Sequence, residues 1–277
     1  MTKTFYFKTT NNNDVSIDIP EPGQINSCYI FGIHKSGSTL LNKLLKDVFN
    51  ETNIPFVAPE EQLFLQGYTP SHVRDDLSKI FFEKGYIYLG FRNFWIGSLN
   101  VDLSGKKCIL LVRDPRDSIV SHFFSSKYSH VLPKAGIVKE KMEELRSEIN
   151  LEKVSEYVLR ENILNLFTRN HEQYYKGLPH KTTRVYRYED VIFFKKEWLA
   201  NMLEFLDIEL PTENINKIAE KHDIIPGNEQ PKRFVRQVIP GNYKKHLPEF
   251  IIDELNKRFK PILMRYGYNK VHFNQLR

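Results

Sequence analysis

The sequence predicts an α/β fold: a single domain with a central parallel β-sheet flanked by helices, carrying a phosphate cradle of the P-loop-like kind. Three observations lead there. Cys28 to Ile33 and Lys107 to Arg113 are apolar runs of strand length, the pattern of strands buried on both faces. Each is followed at once by a helix: Leu40, Leu41, Leu44, Leu45, Val48 and Phe49 recur at helical spacing after the first, and Pro115 opens a helix after the second. Between the first strand and its helix stands Gly32-Ile33-His34-Lys35-Ser36-Gly37-Ser38, whose glycines let the backbone turn tightly and approach a ligand. With Ser38 as N-cap, the first-turn amides and the Lys35 ammonium form a site for a phosphate group.

The other elements follow in order. Phe5 to Phe7 and Val15 to Ile19 are two short strands joined by the turn-prone Asn11-Asn12-Asn13-Asp14, a peripheral hairpin within residues 1–22 of a domain spanning 1–277. Ile54 to Val57 is a short strand, and Pro59 to Phe64, just past its carboxyl end, opens on the crevice where parallel sheets bind ligands. Asp76 to Lys84 predicts a helix, Tyr86 to Phe91 a strand, and His130 to Asn150 a flexible excursion or poorly packed helix able to cover a substrate. Leu151 to Tyr175 predicts one long amphipathic helix, Thr183 to Tyr188 a strand, and Val191 to Leu206 and Thr212 to His222 further helices. Pro226 and Gly227 interrupt the pattern before a basic loop, and Glu249 to Tyr266 is an amphipathic helix that Pro261 would kink.

With 41% hydrophobic and 13% aromatic residues among 277, the chain can bury a large core, and its net charge of +6 suits anionic ligands. Cys28 and Cys108 both lie in apolar runs, where cysteine packs as a small hydrophobe, and two cysteines give no zinc-type spacing. A reduced, cytoplasmic protein without a metal is expected. The polar N-terminus and the lack of any apolar run near about 18 residues predict neither a signal peptide nor a membrane span.

An NTP-binding loop places its lysine directly after the last glycine, whereas Lys35 precedes Gly37. Lys35-Ser36-Gly37-Ser38-Thr39 instead resembles the Lys-Ser-Gly-Thr-Thr segment by which sulfotransferases hold the 5′-phosphosulfate of 3′-phosphoadenosine 5′-phosphosulfate (PAPS). The segment from Arg113 to Ser121, RDPRDSIVS, resembles the family's 3′-phosphate segment, in which an arginine and a serine stand eight residues apart. An arginine fork suits a dianionic phosphate. Tyr188-Glu189-Asp190 looks like a third landmark, whose tyrosine lies near the adenosine. The basic loop is similar to the family's Arg-Lys-Gly-x-x-Gly-Asp-Trp-Lys: Arg236 stands five before Gly241 and Lys244 is kept, while Gln237-Val238 and Asn242-Tyr243 replace Lys-Gly and Asp-Trp. The family's tryptophan after the phosphate loop is Leu40 here. The resemblance implies PAPS as co-substrate, held by His34, Lys35, Ser36, Gly37, Ser38, Thr39, Leu40, Arg113, Ser121, Tyr188, Arg236 and Gly241. It also implies a small-molecule acceptor, no metal, and no nucleic-acid or membrane partner.

Two other classes compete. A P-loop kinase or NTPase could use Asp114, after its apolar strand, to hold magnesium, but it leaves Arg113, Ser121 and Arg236 without a role. A basic nucleic-acid-binding module would align its cations along one face, and here they cluster at segment ends.

Within the resemblance, Lys35 would stabilise the charge that builds on the 5′-phosphate oxygen as the sulfonyl group leaves. Phenol- and hydroxysteroid-type members place a histidine base upstream of the 3′-phosphate arginine, in the neighbourhood that here is Gly90-Phe91-Arg92-Asn93-Phe94. Heparan-type members use a glutamate in a Glu-x-x-Phe-like setting, which Glu60-Glu61-Gln62-Leu63-Phe64 resembles. Glu61 is therefore the expected base, with Glu60 in reserve and His34 or His122 next. The acceptor atom is expected to be a hydroxyl oxygen or an amine or carbamoyl nitrogen, and Glu60, Glu61, Asp75 and Asp76 would suit a cationic natural product.

Overall fold

A computed structural model describes residues 2–99, 101–233 and 235–269. The strands β1 (Lys3–Lys8) and β2 (Asp14–Ile19) form an antiparallel hairpin. There follow β3 (Cys28–Gly32), α1 (Ser38–Thr52), β4 (Phe56–Val57), α2 (Pro59–Leu65), β5 (Ile87–Phe91), β6 (Cys108–Val112), α3 (Pro115–Phe124), α4 (Ile137–Glu148), α5 (Val154–Tyr157), α6 (Glu161–Gly177) and β7 (Thr183–Arg187). The chain continues through α7 (Tyr188–Val191), α8 (Lys195–Leu206), α9 (Thr212–Lys221), α10 (Tyr243–His246), α11 (Glu249–Arg258) and α12 (Lys260–Arg265). The main sheet is parallel throughout, in the order β4-β5-β3-β6-β7. Because β5 and β6 flank β3 on opposite sides, the carboxyl end of β3 is the switch point at which such sheets open a crevice.

Successive side chains of a strand point to opposite faces, and the core divides accordingly. Ile30, Ile109 and Leu111 pack on one face with Leu41 and Leu44 of α1 and Leu199 of α8. Tyr29, Phe31, Leu110 and Val112 pack on the other with Phe7, Ile17 and Tyr174. β3, β5 and β6 are buried end to end, whereas the outermost strand β7 is mixed in sequence and leaves Val185 45% exposed. Cys28 and Cys108 are buried free thiols, pushed up by burial to about 11 and about 12, and so are unreactive near neutrality.

The hairpin is more than peripheral. Phe7, Val15, Ile17 and Ile19 join the same core as Phe31, and Gln62 of α2 together with Gln66 at its C-terminal cap completes the free edge of β2. Ser16 N donates to Gln66 Oε1 (2.9 Å) and Asp18 N to Gln62 Oε1 (2.8 Å). In return, Gln66 Nε2 donates to Ser16 O (2.8 Å) and Gln62 Nε2 to Asp18 O (3.0 Å). An edge that could pair with another chain is thereby covered, and α2 is fixed in rotation.

Several elements depart from the sequence expectation. Between Asp76 and Lys84 only the short 3₁₀ turn Leu77–Ile80 forms, because Tyr88 captures the backbone beyond it: its hydroxyl donates to Ile80 O and accepts from Phe82 N (both 2.8 Å). The long helix expected from Leu151 is divided into α5 and α6 at Arg160, whose guanidinium pairs with Glu152 (2.8 Å) and Glu148 (3.4 Å). The segment from His130 to Asn150 contains a docked helix, α4. Arg146 donates to Ser126 O (3.1 Å) and His130 O (2.9 Å), and Val138 N to Gly67 O (3.1 Å). A Cβ on Gly67 would stand 2.0 Å from Ala135 O, so only glycine allows this approach. At the C-terminal end the chain breaks at Phe259 with Pro261 in the first turn of α12, as Pro261 predicts. No helix among the described residues is long and apolar enough to cross a membrane.

Candidate active site

The loop between β3 and α1 forms as its residues dictate, with one shift of register. Gly37, not Ser38, is the N-cap, at φ 95°, and Ser38 begins the helix. Lys35 also holds a left-handed φ of 67°, a conformation unusual outside glycine and Asn or Asp and found at ligand-binding turns. A Cβ on Gly37 would lie 2.9 Å from the Tyr188 ring, and one on Gly32 would lie 2.5 Å from Ser38 Cβ. Both glycines are therefore required by close packing. The first N–H groups of α1 have no acceptor within the helix. Ser36 Oγ is buried without a hydrogen-bond partner, and the Lys35 ammonium has no ion-pair or hydrogen-bond partner among the described residues. Burial, reinforced by the charges of Arg92, Arg113 and Arg236, pushes Lys35 down to about 7. His34 and Thr39 are partly buried on either side, and Leu40 packs against the small cluster of Tyr188 and Val238.

Arg113 leaves the end of β6 and is buried, with its guanidinium carbon 4.3 Å from the Tyr188 ring centroid and Nη2 3.6 Å from Asp117. Its Nε has no hydrogen-bond partner among the described residues. Burial works to discharge Arg113, but Asp117 and the neighbouring acidic groups outweigh it and hold its pKa above the ordinary value. Ser121 lies two turns along α3, partly exposed. Asp117 has a second duty that its spacing does not reveal: its carboxylate accepts from Gly241 N (2.7 Å) and Tyr243 N (2.9 Å), tying the basic loop to α3. Gly241 there is at φ 81°. The Tyr188 hydroxyl donates to Val238 O (3.0 Å), closing the same loop from the other side. Arg236 is buried over the Phe124 ring (4.4 Å) and is pushed down to about 10 by burial and by Arg113. It is paired with Glu229, which also accepts from Lys245 (2.8 Å) and His246 (2.9 Å). An anion reaching Arg236 must share it with, or displace, that carboxylate. Asp114 is turned away from any magnesium role: it caps α3 through Arg116 N (2.9 Å) and pairs with the Arg116 guanidinium (2.6 Å).

Beside the phosphate loop lies a cavity of about 190 Å³. Its polar wall includes His34, Glu60, Arg92, His122 and His130, and Phe64, Val138, Met142 and Leu145 line it with apolar surface. The two adjacent glutamates diverge. Glu60 is buried in this wall, accepting from Arg92 N (3.1 Å) and Trp95 Nε1 (3.2 Å), and burial raises its pKa against the opposing pull of Arg92. Glu61 instead pairs with Lys46 (2.7 Å) with its side chain 43% exposed, and does not line the cavity. Burial lowers His122 to about 3 and His130 to about 4, and takes His34 well below its usual value. All three imidazoles are neutral near pH 7. His122 Nδ1 shares a hydrogen bond with the Tyr157 hydroxyl (2.6 Å), and the rings of His34 and His122 stand edge to face at 5.0 Å. Sequence reasoning missed Arg92, Trp95, His130 and Glu229, and the tie that Asp117 makes to the basic loop. Asp117 stands one helical turn from Arg113 and carried a signal, while the others meet the site only through tertiary packing.

A profile of the sulfotransferase domain matches residues 96–267, more than half of the chain, and the chain belongs to that family. The matched segment contains Arg113, Ser121, Tyr188, Arg236 and Gly241 and begins beyond the Lys35 loop. No curated protein sequence matches the chain. In fold it is similar to mouse sulfotransferase SULT7A1 complexed with PAP, at a TM-score of 0.56 and 14% identity over 88% of this chain and 86% of that one. It is also similar to retinol dehydratase in complex with androsterone and inactive cofactor PAP, at a TM-score of 0.51 and 16% identity over 94% and 90% of the two chains.

Proposed function

We propose that the protein moves a sulfonyl group from PAPS to a hydroxyl oxygen, or to an amine or carbamoyl nitrogen, of a small molecule, releasing adenosine 3′,5′-bisphosphate (PAP). One observation carries this reading. Lys35, Arg113 and Arg236 come from three distant segments, yet each lies close enough to perturb another electrostatically, and around them Ser36 Oγ and Arg113 Nε are buried donors without partners. Buried polar groups are nearly always satisfied, so unfilled donors beside the unpaired Lys35 and two arginines that a ligand could share with Asp117 and Glu229 fit a ligand with two anionic ends. Lys35, Ser36, Ser38 and Thr39 would hold the 5′-phosphosulfate, and Arg113, Ser121 and Arg236 the 3′-phosphate. Glu60 takes the proton of the acceptor hydroxyl as its oxygen forms the new bond to sulfur. The bond from sulfur to the 5′-phosphate oxygen breaks, its electron pair stays on that oxygen, and the Lys35 ammonium stabilises the charge.

PAP should bind and stabilise the protein in a chelator-containing buffer, by roughly 2.7 kcal/mol at about 100 times its dissociation constant. No thermal shift at saturation would remove the reading. Arg113→Ala should weaken PAP far more than adenosine 5′-monophosphate, which lacks the 3′-phosphate; equal losses would place Arg113 elsewhere.

The free protein should also bind PAP more weakly as pH rises above about 7, because Lys35 then loses its proton before ligand arrives. Phosphate monoesters, with a second pKa near 6, are already dianionic there. The affinity should fall by up to about tenfold per pH unit, and calorimetry in buffers of different ionisation enthalpy should detect proton uptake on binding. Lys35→Arg should flatten the profile; a flat profile in the wild type would show that Lys35 stays protonated in the free protein across this range.

A further inference from the structure

We infer that the acceptor carries a carboxylate and that the Arg92 guanidinium binds it; this rests on the sulfonyl-transfer reading and names the substrate class of that same site. Arg92 follows β5 directly and lines the cavity beside Glu60 and His130. Its guanidinium has no hydrogen-bond or ion-pair partner among the described residues, although its own N–H is bonded to Glu60. Glu60 is the one acidic residue of the cavity lining among the described residues, and it spends its hydrogen bonds on Arg92 N, Trp95 Nε1 and the Asn93 backbone, so that it attracts the Arg92 guanidinium through space but does not occupy its N–H donors. The three imidazoles of the wall are neutral and add no charge. The cavity lining thus sets one guanidinium against one carboxylate that spends its hydrogen bonds elsewhere, so the guanidinium N–H donors of Arg92 are left for a ligand.

The acidic wall expected to attract a cation is not there. Of its four members, Glu61 is paired with Lys46, Asp75 accepts from Lys8 N (2.6 Å), and Asp76 caps the turn at Ser78 (2.8 Å). A cationic acceptor would meet one carboxylate already held, whereas a carboxylate would meet a free planar fork that matches it in two parallel hydrogen bonds. The volume, about 190 Å³, lies below the roughly 300–1,000 Å³ of drug-sized sites, so the acceptor is a compact hydroxy acid of one ring or a short chain. Its ring or chain would rest on Phe64, Val138, Met142 and Leu145. The hydroxyl oxygen takes the sulfonyl group and gives its proton to Glu60, and the carboxylate is unchanged.

The test uses matched pairs of probes with PAPS: 4-hydroxybenzoate against 4-hydroxybenzamide, the 3-hydroxy pair, and 4-hydroxyphenylacetate against its amide. In the wild type, kcat/KM for the preferred acid should exceed that of its amide by roughly 10- to 150-fold, the range of a hydrogen-bonded charged group. Arg92→Met should collapse this ratio toward one, and Arg92→Lys, which keeps the charge but not the fork, should retain part of it should the first variant fail to fold. Equal use of acid and amide by the wild type overturns the inference, as does a ratio that survives in Arg92→Met, or a wild type that binds none of the acids when loaded with PAP and sulfonates none of them with PAPS. Loss of acid and amide turnover together with an unchanged ratio would put Arg92 on the transferring group instead. The PAP thermal shift, read on the same proteins, separates the two levels. Without it the sulfonyl-transfer reading fails, and with it present but no acid preference only the acceptor class fails.

Discussion

Glu60→Gln should lower turnover by roughly 10² to 10⁴, the span expected when a general base is removed, and leave PAP affinity unchanged. The substitution is close to isosteric, and the glutamine oxygen can still accept from Arg92 N and Trp95 Nε1, so the loss would report chemistry and not packing. Burial raises the Glu60 pKa, which brings it closer to the pH at which a base both ionises and accepts a proton efficiently. The sign follows from that role: the carboxylate is the working form, so turnover should fall as pH falls through the raised pKa, and this acid limb should be missing from the residual activity of Glu60→Gln. Glu61→Gln breaks only a half-exposed pair with Lys46, a contact of the kind that contributes about 0–1 kcal/mol to stability, and should leave most turnover. Single-turnover transfer and PAP calorimetry on both variants decide the matter. Near-normal transfer in Glu60→Gln would pass the role to a histidine of the same cavity, His34 or His122.

Lys35→Met should cost about 10² to 10³ in turnover, the loss typical when one preorganised donor to a developing charge is removed. Its ammonium is held by a left-handed backbone at the mouth of α1 with no ion-pair partner among the described residues, so little reorganisation is needed as charge builds on the leaving oxygen. Methionine fills similar space without charge, and the variant should keep measurable PAP binding through Arg113 and the first-turn amides. Removing an uncompensated cation from a cluster containing Arg92, Arg113 and Arg236 should also spare the apo protein some repulsion. Turnover within a fewfold of wild type would reduce Lys35 to a binding or surface residue.

Much of the site was legible in the chain because its parts are local. Gly37 and Tyr188 come from separate landmarks, but each landmark is a strand end running into a helix start, and apolar length, glycine and proline positions mark such junctions. The loop around Arg236 was legible in spacing alone. What it binds internally was not, since Glu229 meets Arg236, Lys245 and His246 only once the loop has folded back. Likewise, the segment between His130 and Asn150 was expected to cover a substrate, but its mixed charges did not signal that α4 docks through Gly67 and Arg146 to give the cavity its apolar wall.

By itself the sequence determined the alternation of strands and helices, the Lys35 loop at the end of β3 and the register of Ser121 on α3 relative to Arg113 at the end of β6, because each rests on short-range sterics and periodicity that neighbours cannot easily override. The tertiary structure alone decided which glutamate faces the cavity and whether Arg92 is neutralised. Adjacent residues on a helix point about 100° apart, so Glu60 and Glu61 could not both face inward, and α2, seven residues long, has no strong pattern of its own to choose between them. Its rotation is set from outside, by the hydrogen bonds of Gln62 and Gln66 to the edge of β2. Those contacts, made across more than forty residues of chain, turn Glu60 onto Arg92 N and Trp95 and leave the Arg92 guanidinium open.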